Sequence, residues 1–142
     1  MADVEPSYPI ERAAELTGVS AHTLRYYERI GLLAPVGRAP SGHRRYTDAD
    51  LGSVRFLTLL RETGMPIRDM QTFVALTRNG EGTVPQRLAV LEAHRDALRA
   101  QLEQLSGHLA ALDHKVEVYS LIVAQQALDH DGIHEGMREQ RI

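Results

Sequence analysis

The sequence predicts a mainly α-helical chain with one small β-hairpin, built as a head of short helices followed by one long helix. Three observations predict it. Two short helical stretches are separated by Gly18-Val19-Ser20. A run from Leu33 to Tyr46, with Pro35, Gly37, Pro40, Ser41 and Gly42, interrupts the helices with turn chemistry. From Val84 to Val123 apolar residues recur in strict heptads.

The elements follow in order. Ile10, Ala13, Ala14 and Thr17 share one face of a first helix that Gly18 ends. Ser20 caps a second helix from Ala21 to about Leu32 or Leu33, ending around Gly31. Two short helices joined by such a turn read as helix-turn-helix. The hairpin occupies Leu33–Tyr46. Thr47 and Asp50 form a capping box for a third helix through Val54, Leu57, Leu60 and Arg61 to Gly64. Pro66 opens a fourth, with Ile67, Met70, Phe73 and Val74 as its apolar face, closed by Asn79-Gly80. Thr83 and Gln86 make a second capping box, with Pro85 in the first turn.

Beyond it, Leu88, Arg95, Leu102, Leu109, Val116 and Val123 take heptad position a, and Val84, Leu91, Leu98, Leu105, Leu112 and Tyr119 take position d. Only Arg95 breaks the seam. A helix over that span is about 60 Å long, too long to bury its stripe against a small head, so it calls for a second copy. Leu88, Leu91, Leu98, Leu102, Leu105, Leu109, Leu112 and Val116 are the expected dimer contacts. The domains expected are a head at 1–80, a dimerisation coil at 81–127 and a flexible tail at 128–142, where Asp129-His130-Asp131-Gly132-Ile133-His134 lacks periodicity.

Composition narrows the function. The chain of 142 residues is 43% apolar and 25% charged, as in soluble globular proteins. An acidic, polar start and the lack of a long apolar run predict a cytoplasmic protein with no membrane partner. With no cysteine there is no disulfide, thiolate metal site or thiol nucleophile. A Gly-rich phosphate loop and a paired acid–base motif are also missing, so neither an enzyme nor a cofactor is expected. The net charge of −3 hides an asymmetry. Arg25, Arg29, Arg38, Arg44 and Arg45 face one acid, Glu28, whereas from Glu81 onward ten acids face six bases. A basic island on an acidic chain predicts a local polyanion contact.

His22, Arg25, Tyr26 and Arg29 fall at i, i+3, i+4 and i+7, one polar stripe on the second helix. Thr23, Tyr27 and Ile30 lie on another face that can dock on the first and third helices. A helix cationic on one side and placed second in a helix-turn-helix suits the DNA major groove. Arginine can fork onto guanine or phosphate, and histidine and tyrosine can reach phosphate. A solvated basic face is the alternative. His43-Arg44-Arg45-Tyr46, just past the hairpin turn, weighs against it: the two arginines are set to reach flanking backbone, with Tyr46 as packing. Helices and hairpin together describe a winged helix-turn-helix head.

These residues resemble the mercury-resistance (MerR) type of transcription regulator. The matching pieces are Ala14-Glu15-Leu16-Thr17-Gly18-Val19-Ser20, Thr23-Leu24-Arg25-Tyr26-Tyr27-Glu28 with Gly31-Leu32-Leu33, Ser41-Gly42-His43-Arg44-Arg45-Tyr46, and Leu59-Leu60-Arg61-Glu62-Thr63-Gly64-Met65. The match runs in register from about Ile10 to Tyr119, with His43 where the family has an aromatic residue. The resemblance implies an antiparallel coiled-coil homodimer on a palindromic promoter. It implies activation by distorting an overlong spacer on effector binding, so that RNA polymerase can engage. By position it assigns Ser20, His22, Thr23, Arg25 and Tyr26 to the groove and nearby phosphates. Arg38, Arg44 and Arg45 go to the wing contact, with His43 tuning it, and Arg61 to a backbone contact from the third helix. An effector-independent repressor or architectural protein is the alternative.

The family's effector site implies a small-molecule pocket around Val84, Leu88, His114 and Tyr119, although Tyr119 also reads as a seam residue and His114 as a solvated flank. Thr83–Leu88, Leu112–Lys115 and Tyr119 look most like the branch linked to aldehyde and electrophile stress. Members of that branch often carry a reactive cysteine in the third helix, and this chain has none. His114, His130 and His134 with Asp129 and Asp131 offer nitrogen and oxygen metal ligands, but scattered polar residues on a loose terminus explain them as well, and no metal site is expected.

Overall fold

The computed structural model describes residues 6–139, with side chains through residue 132. In order, the elements are β1 (Ser7–Pro9), α1 (Ile10–Thr17), α2 (Ala21–Arg29), β2 (Arg45–Thr47), α3 (Asp48–Glu62), α4 (Ile67–Arg78), a 3₁₀ turn (Glu81–Thr83) and α5 (Val84–Glu139). They divide into two compact units, Met1–Leu98 and Arg99–Ile142.

The head forms where the sequence places its punctuation. Gly18, at φ 72°, closes α1 by donating its N–H to the Ala14 carbonyl. Ser20 then accepts the Thr23 N–H at 3.1 Å and caps α2. α2 stops at Arg29, earlier than expected, because Gly31 at φ 82° turns the chain back. The N–H groups of Leu32 and Leu33 both donate to the Tyr27 carbonyl, and this carries the two leucines into the core. Thr47 and Asp50 form the expected reciprocal capping box on α3. Pro66 precedes α4 as its cap residue.

One apolar core joins these pieces. Ile10 and Ala13 of α1, Leu24 and Tyr27 of α2, Leu51, Val54, Leu57 and Leu60 of α3 and Met70 of α4 are buried around Tyr46. The buried docking face of α2 is thus Leu24 with Tyr27, while Thr23 and Ile30 are only half-buried. Removing Leu24, fully buried, would cost about 2–5 kcal/mol.

One element is added and two expectations are corrected. The start of the chain supplies a strand: Tyr8 pairs with Tyr46 in a two-stranded antiparallel sheet, with Ser7 opposite Thr47 and Pro9 opposite Arg45. The backbone accounting favours this pairing, since β2 would otherwise expose an unpaired edge. Thr83 forms no capping box with Gln86. Its hydroxyl donates to the Leu76 carbonyl at 2.6 Å and receives Arg87 Nε at 3.2 Å, fastening α5 to the end of α4. Regular structure also does not stop at Leu128, because α5 runs on to Glu139. Loss of apolar periodicity there reports lost burial, while Ala124, Ala127 and a Gln125–Asp129 hydrogen bond of 3.1 Å still suit a helix.

The start of α5 belongs to the head. Val90 and Leu91 pack against its core, and His94 Nε2 meets the Thr63 hydroxyl at 2.7 Å. Leu91, expected in the dimer seam, is therefore half-buried on its own head. In the second unit the seam lies open: Leu102, Leu105, Leu109, Leu112 and Val116 are 60–64% exposed. No described helix is long and apolar enough to cross a membrane.

Candidate nucleic-acid interface

α2 buries Leu24 and Tyr27 and leaves His22, Arg25, Tyr26 and Arg29 exposed as one stripe. The Arg29 guanidinium carbon lies 5.6 Å from the Tyr26 ring centroid, a cation–π contact that stiffens the end of the stripe. Ser20 and Thr23 sit at its N-terminal end. Their hydroxyls bond each other at 2.9 Å, and the free first-turn N–H groups around them favour an anion.

The expected hairpin is present in minimal form. It has a single bridge between Arg38 and Arg44, with Ala39 N–H donating to His43 O, Gly42 N–H to Ala39 O and Arg45 N–H to Gly37 O, each at 2.8 Å. Gly42, at φ 87°, makes the turn. Arg38 reaches back to the Gly42 carbonyl at 3.0 Å, and His43 Nδ1 lies 3.0 Å from Ser41 Oγ. Both side chains remain exposed.

The two arginines beside the turn also bond within the protein. Arg44 Nε donates to Glu28 at 2.7 Å, a half-buried ion pair that straps the wing to α2. Arg45 donates through Nη2 to the Ser7 carbonyl at 2.7 Å and through Nε to Ser7 Oγ at 3.2 Å, strapping it to β1. Glu28 is legible in the sequence as the one acid in the basic island, but nothing local marks Ser7 as its counterpart.

Between the start of α1, α2 and the wing lies a cleft of about 220 Å³ lined by Glu11, Arg25, Arg38, His43 and Arg44. Arg25 and Arg38 give it two guanidinium groups that no other group neutralises by ion pairing among the described residues. A phosphate-sized anion fits that chemistry. Arg61 is exposed near the end of α3, and its charge acts on the Tyr27 hydroxyl of α2.

Other bonds hold the far end of α2. Gln71 donates to the Ile30 carbonyl at 3.0 Å and Arg78 to the Gly31 carbonyl at 2.9 Å, so α4 fixes where the stripe ends. Burial pushes the Tyr27 and Tyr46 hydroxyls above the usual tyrosine value, Tyr46 also through Glu28. The Tyr46 hydroxyl is buried without a hydrogen-bond partner among the described residues.

Val84, Leu88 and Tyr119 are 49%, 54% and 64% exposed, and His114 is exposed. Two further clefts in the head, of about 230 and 380 Å³, are lined by other residues, among them Phe56 and Phe73 in the first and Met65 and His94 in the second. Among the described residues no three His, Asp or Glu side chains gather as metal ligands, and the side chain of His134 lies outside them.

Residues 8–76 match the MerR HTH family of regulatory proteins, and residues 51–115 match the MerR DNA-binding region. An HTH-type transcriptional regulator of Haemophilus influenzae is 38% identical over 113 residues, covering 80% of this chain and 84% of its own. The crystal structure of a MerR-family regulator from Listeria monocytogenes superposes with a TM-score of 0.83 at 37% identity, covering 91% of this chain and 99% of its own. HiNmlR, a MerR-family regulator lacking the sensor domain and bound to promoter DNA, superposes with a TM-score of 0.75 at 37% identity, covering 81% and 91%. These relatives are transcription regulators, which are not enzymes. The chain belongs to the MerR family of DNA-binding helix-turn-helix transcription regulators.

Proposed function

We propose that the chain acts as a homodimer that seats two α2 stripes on the half-sites of a palindromic promoter. The carrying observation is the exposed stripe of His22, Arg25, Tyr26 and Arg29, flanked by the cleft that Arg25 shares with Arg38 of the wing. In this reading Arg25, His22 and Arg29 enter the major groove. Ser20, Thr23 and Tyr26 meet phosphate at its edge, and Arg38, His43 and Arg61 meet the flanking backbone. Arg44 and Arg45 hold the wing in place, and their charge still adds to the field. Each phosphate neutralised contributes about 0.9 to the slope of log affinity against log salt. Dimerisation follows from the open leucine seam of α5, a surface that water does not favour.

Regulation works through DNA shape: the dimer distorts an overlong promoter spacer so that RNA polymerase engages both elements. An effector would bind in a pocket that both copies complete around Val84, Leu88, His114 and Tyr119. The second reading, action without an effector, is favoured by the likeness to HiNmlR, a regulator lacking the sensor domain. A footprint of the purified protein on its own upstream DNA tests the proposal. Protection centred in an overlong spacer is expected, and protection confined to an ordinary spacer or the start site would leave simple repression.

A further inference from the structure

We propose that each head carries a binding site for a small aromatic carboxylate, between the turn after α2 and the facing sides of α3 and α4, and that its occupancy is felt at the end of the α2 stripe. The site goes beyond the function proposed above. It shares no residue with the pocket proposed around Val84, Leu88, His114 and Tyr119, and one protomer supplies all of its lining. The cleft holds about 230 Å³. That is below the roughly 300–1,000 Å³ of sites for drug-sized ligands, which limits the occupant to about one ring. Leu33 and Leu57 on its lining are buried, Phe73 is half-buried and Phe56 is exposed. The two phenyl rings form a tilted pair, 5.5 Å between centroids at 48°, which a third ring can extend by edge-to-face contact.

Charge selects the ligand's polar end. Two charged side chains, Asp50 and Arg78, share the lining, and they are not equivalent. Asp50 is committed to the capping box: its Oδ2 accepts the Thr47 N–H at 2.9 Å, in the first turn of α3, where helix N–H groups offset its charge. Arg78 donates from Nη2 to the Gly31 carbonyl at 2.9 Å and forms no ion pair among the described residues. A guanidinium without a counter-ion on an apolar cleft is complementary to a carboxylate attached to an apolar body. A neutral ring or an ammonium would leave that charge unused.

The same arginine links the cleft to the stripe. Arg78, with Gln71 donating to the Ile30 carbonyl at 3.0 Å, holds the segment in which α2 ends. Gly31 turns the chain there at φ 82°, and Leu33, two residues on, lines the cleft. A ligand whose carboxylate pairs with Arg78 while its ring rests on Leu33 and Phe73 ties both sides of this turn to α4. The stripe that ends at Arg29 is then held more firmly, so the ligand favours the conformation that α4 already clamps.

Benzoate is the probe, titrated into the full-length protein without DNA and followed by amide chemical shifts. Saturable binding with a Kd of about 1 mM or below is expected, with the shifts gathered at Leu33, Phe56 and Phe73. Benzamide, which has the same shape and no charge, should bind wild type about tenfold more weakly. Benzoate should bind a folded Arg78→Gln variant more weakly by about the same factor. At saturating benzoate, promoter affinity should rise about threefold in wild type and stay constant in Arg78→Gln, and promoter DNA should tighten benzoate binding by the same factor. Absence of saturation, equal binding of benzamide, or shifts gathered at Val84 and Tyr119 overturns the site. Binding at the cleft with unchanged promoter affinity overturns the link to α2. The first titration contains no DNA, so a failure of the promoter reading leaves its result intact.

Discussion

From Ile10 to Met70 the head hides its apolar side chains around Tyr46 and buries no charged group. From Arg99 onward α5 does the reverse, with Leu102, Leu105, Leu109 and Leu112 at least 60% exposed. The same side chain, leucine, therefore means two things in one chain. In the head it fills a core closed by short-range turns and caps. In the arm it marks a surface awaiting a partner. The head's stability is internal and the arm's association is concentration-dependent, so substitutions in the two regions should fail in different ways.

The largest effect should come from the arm. Leu105→Asp/Leu109→Asp puts two charges per chain into the seam and should abolish dimerisation. It should lower promoter affinity by roughly a hundredfold or more through lost bivalency. The thermal transition of the head should be unchanged. Sedimentation and calorimetry on one sample check both halves, and a head that melts with the arm would erase the distinction. Next comes the head itself: Leu24→Ala should destabilise folding by about 2–5 kcal/mol while leaving the arm's helicity in place, measured by denaturant unfolding.

A smaller effect separates the wing from the stripe. Arg44→Ala breaks the half-buried pair with Glu28 and should cost about 1–2 kcal/mol of stability, with DNA affinity falling indirectly as the wing loosens. The smallest concerns Tyr46. Its buried hydroxyl has no partner among the described residues, so Tyr46→Phe should be neutral or stabilise by up to about 1 kcal/mol. The raised values of Tyr46 and Tyr27 also have a sign. The folded state holds those protons more tightly than the unfolded chain, where tyrosine releases its proton near 10.0. Their contribution is fully present below that pH and is lost as pH rises through the folded values. Tyr46→Phe should make alkaline unfolding less steep, seen in melting temperatures between about pH 9 and 11.

These contrasts bear on what could be read from the residues alone. The helices of the head were legible because local signals agreed with packing: Gly18 and Ser20 around the turn, and Thr47 with Asp50 on α3. The stripe on α2 was legible from its period, whereas the face beneath it was legible only at Tyr27, because the buried partner is Leu24 and not Thr23 or Ile30. The pairing of β1 with β2 was not, since Tyr8 and Tyr46 lie far apart in sequence and Met1–Pro9 has no alternating pattern. The internal bonds of Arg44 and Arg45 were hidden for the same reason. Arginine in a basic island looks alike whether it faces phosphate or a carboxylate across the fold, and only Glu28 hinted at the second. Leu91 kept the heptad period yet packs on its own head, because a period reports a face and not what covers it.

The central claim is that the α2 stripe reads promoter DNA, and Arg25→Ala tests it most directly. Wild-type and variant dimers would be titrated with upstream promoter DNA and with unrelated DNA of equal length, at several salt concentrations. The account predicts a loss of about 1–3 kcal/mol on the promoter, a narrowed gap between the two DNAs, and a folding stability within about 0.5 kcal/mol of wild type. A variant that stays dimeric and folded yet binds the promoter as tightly and selectively as wild type would contradict it.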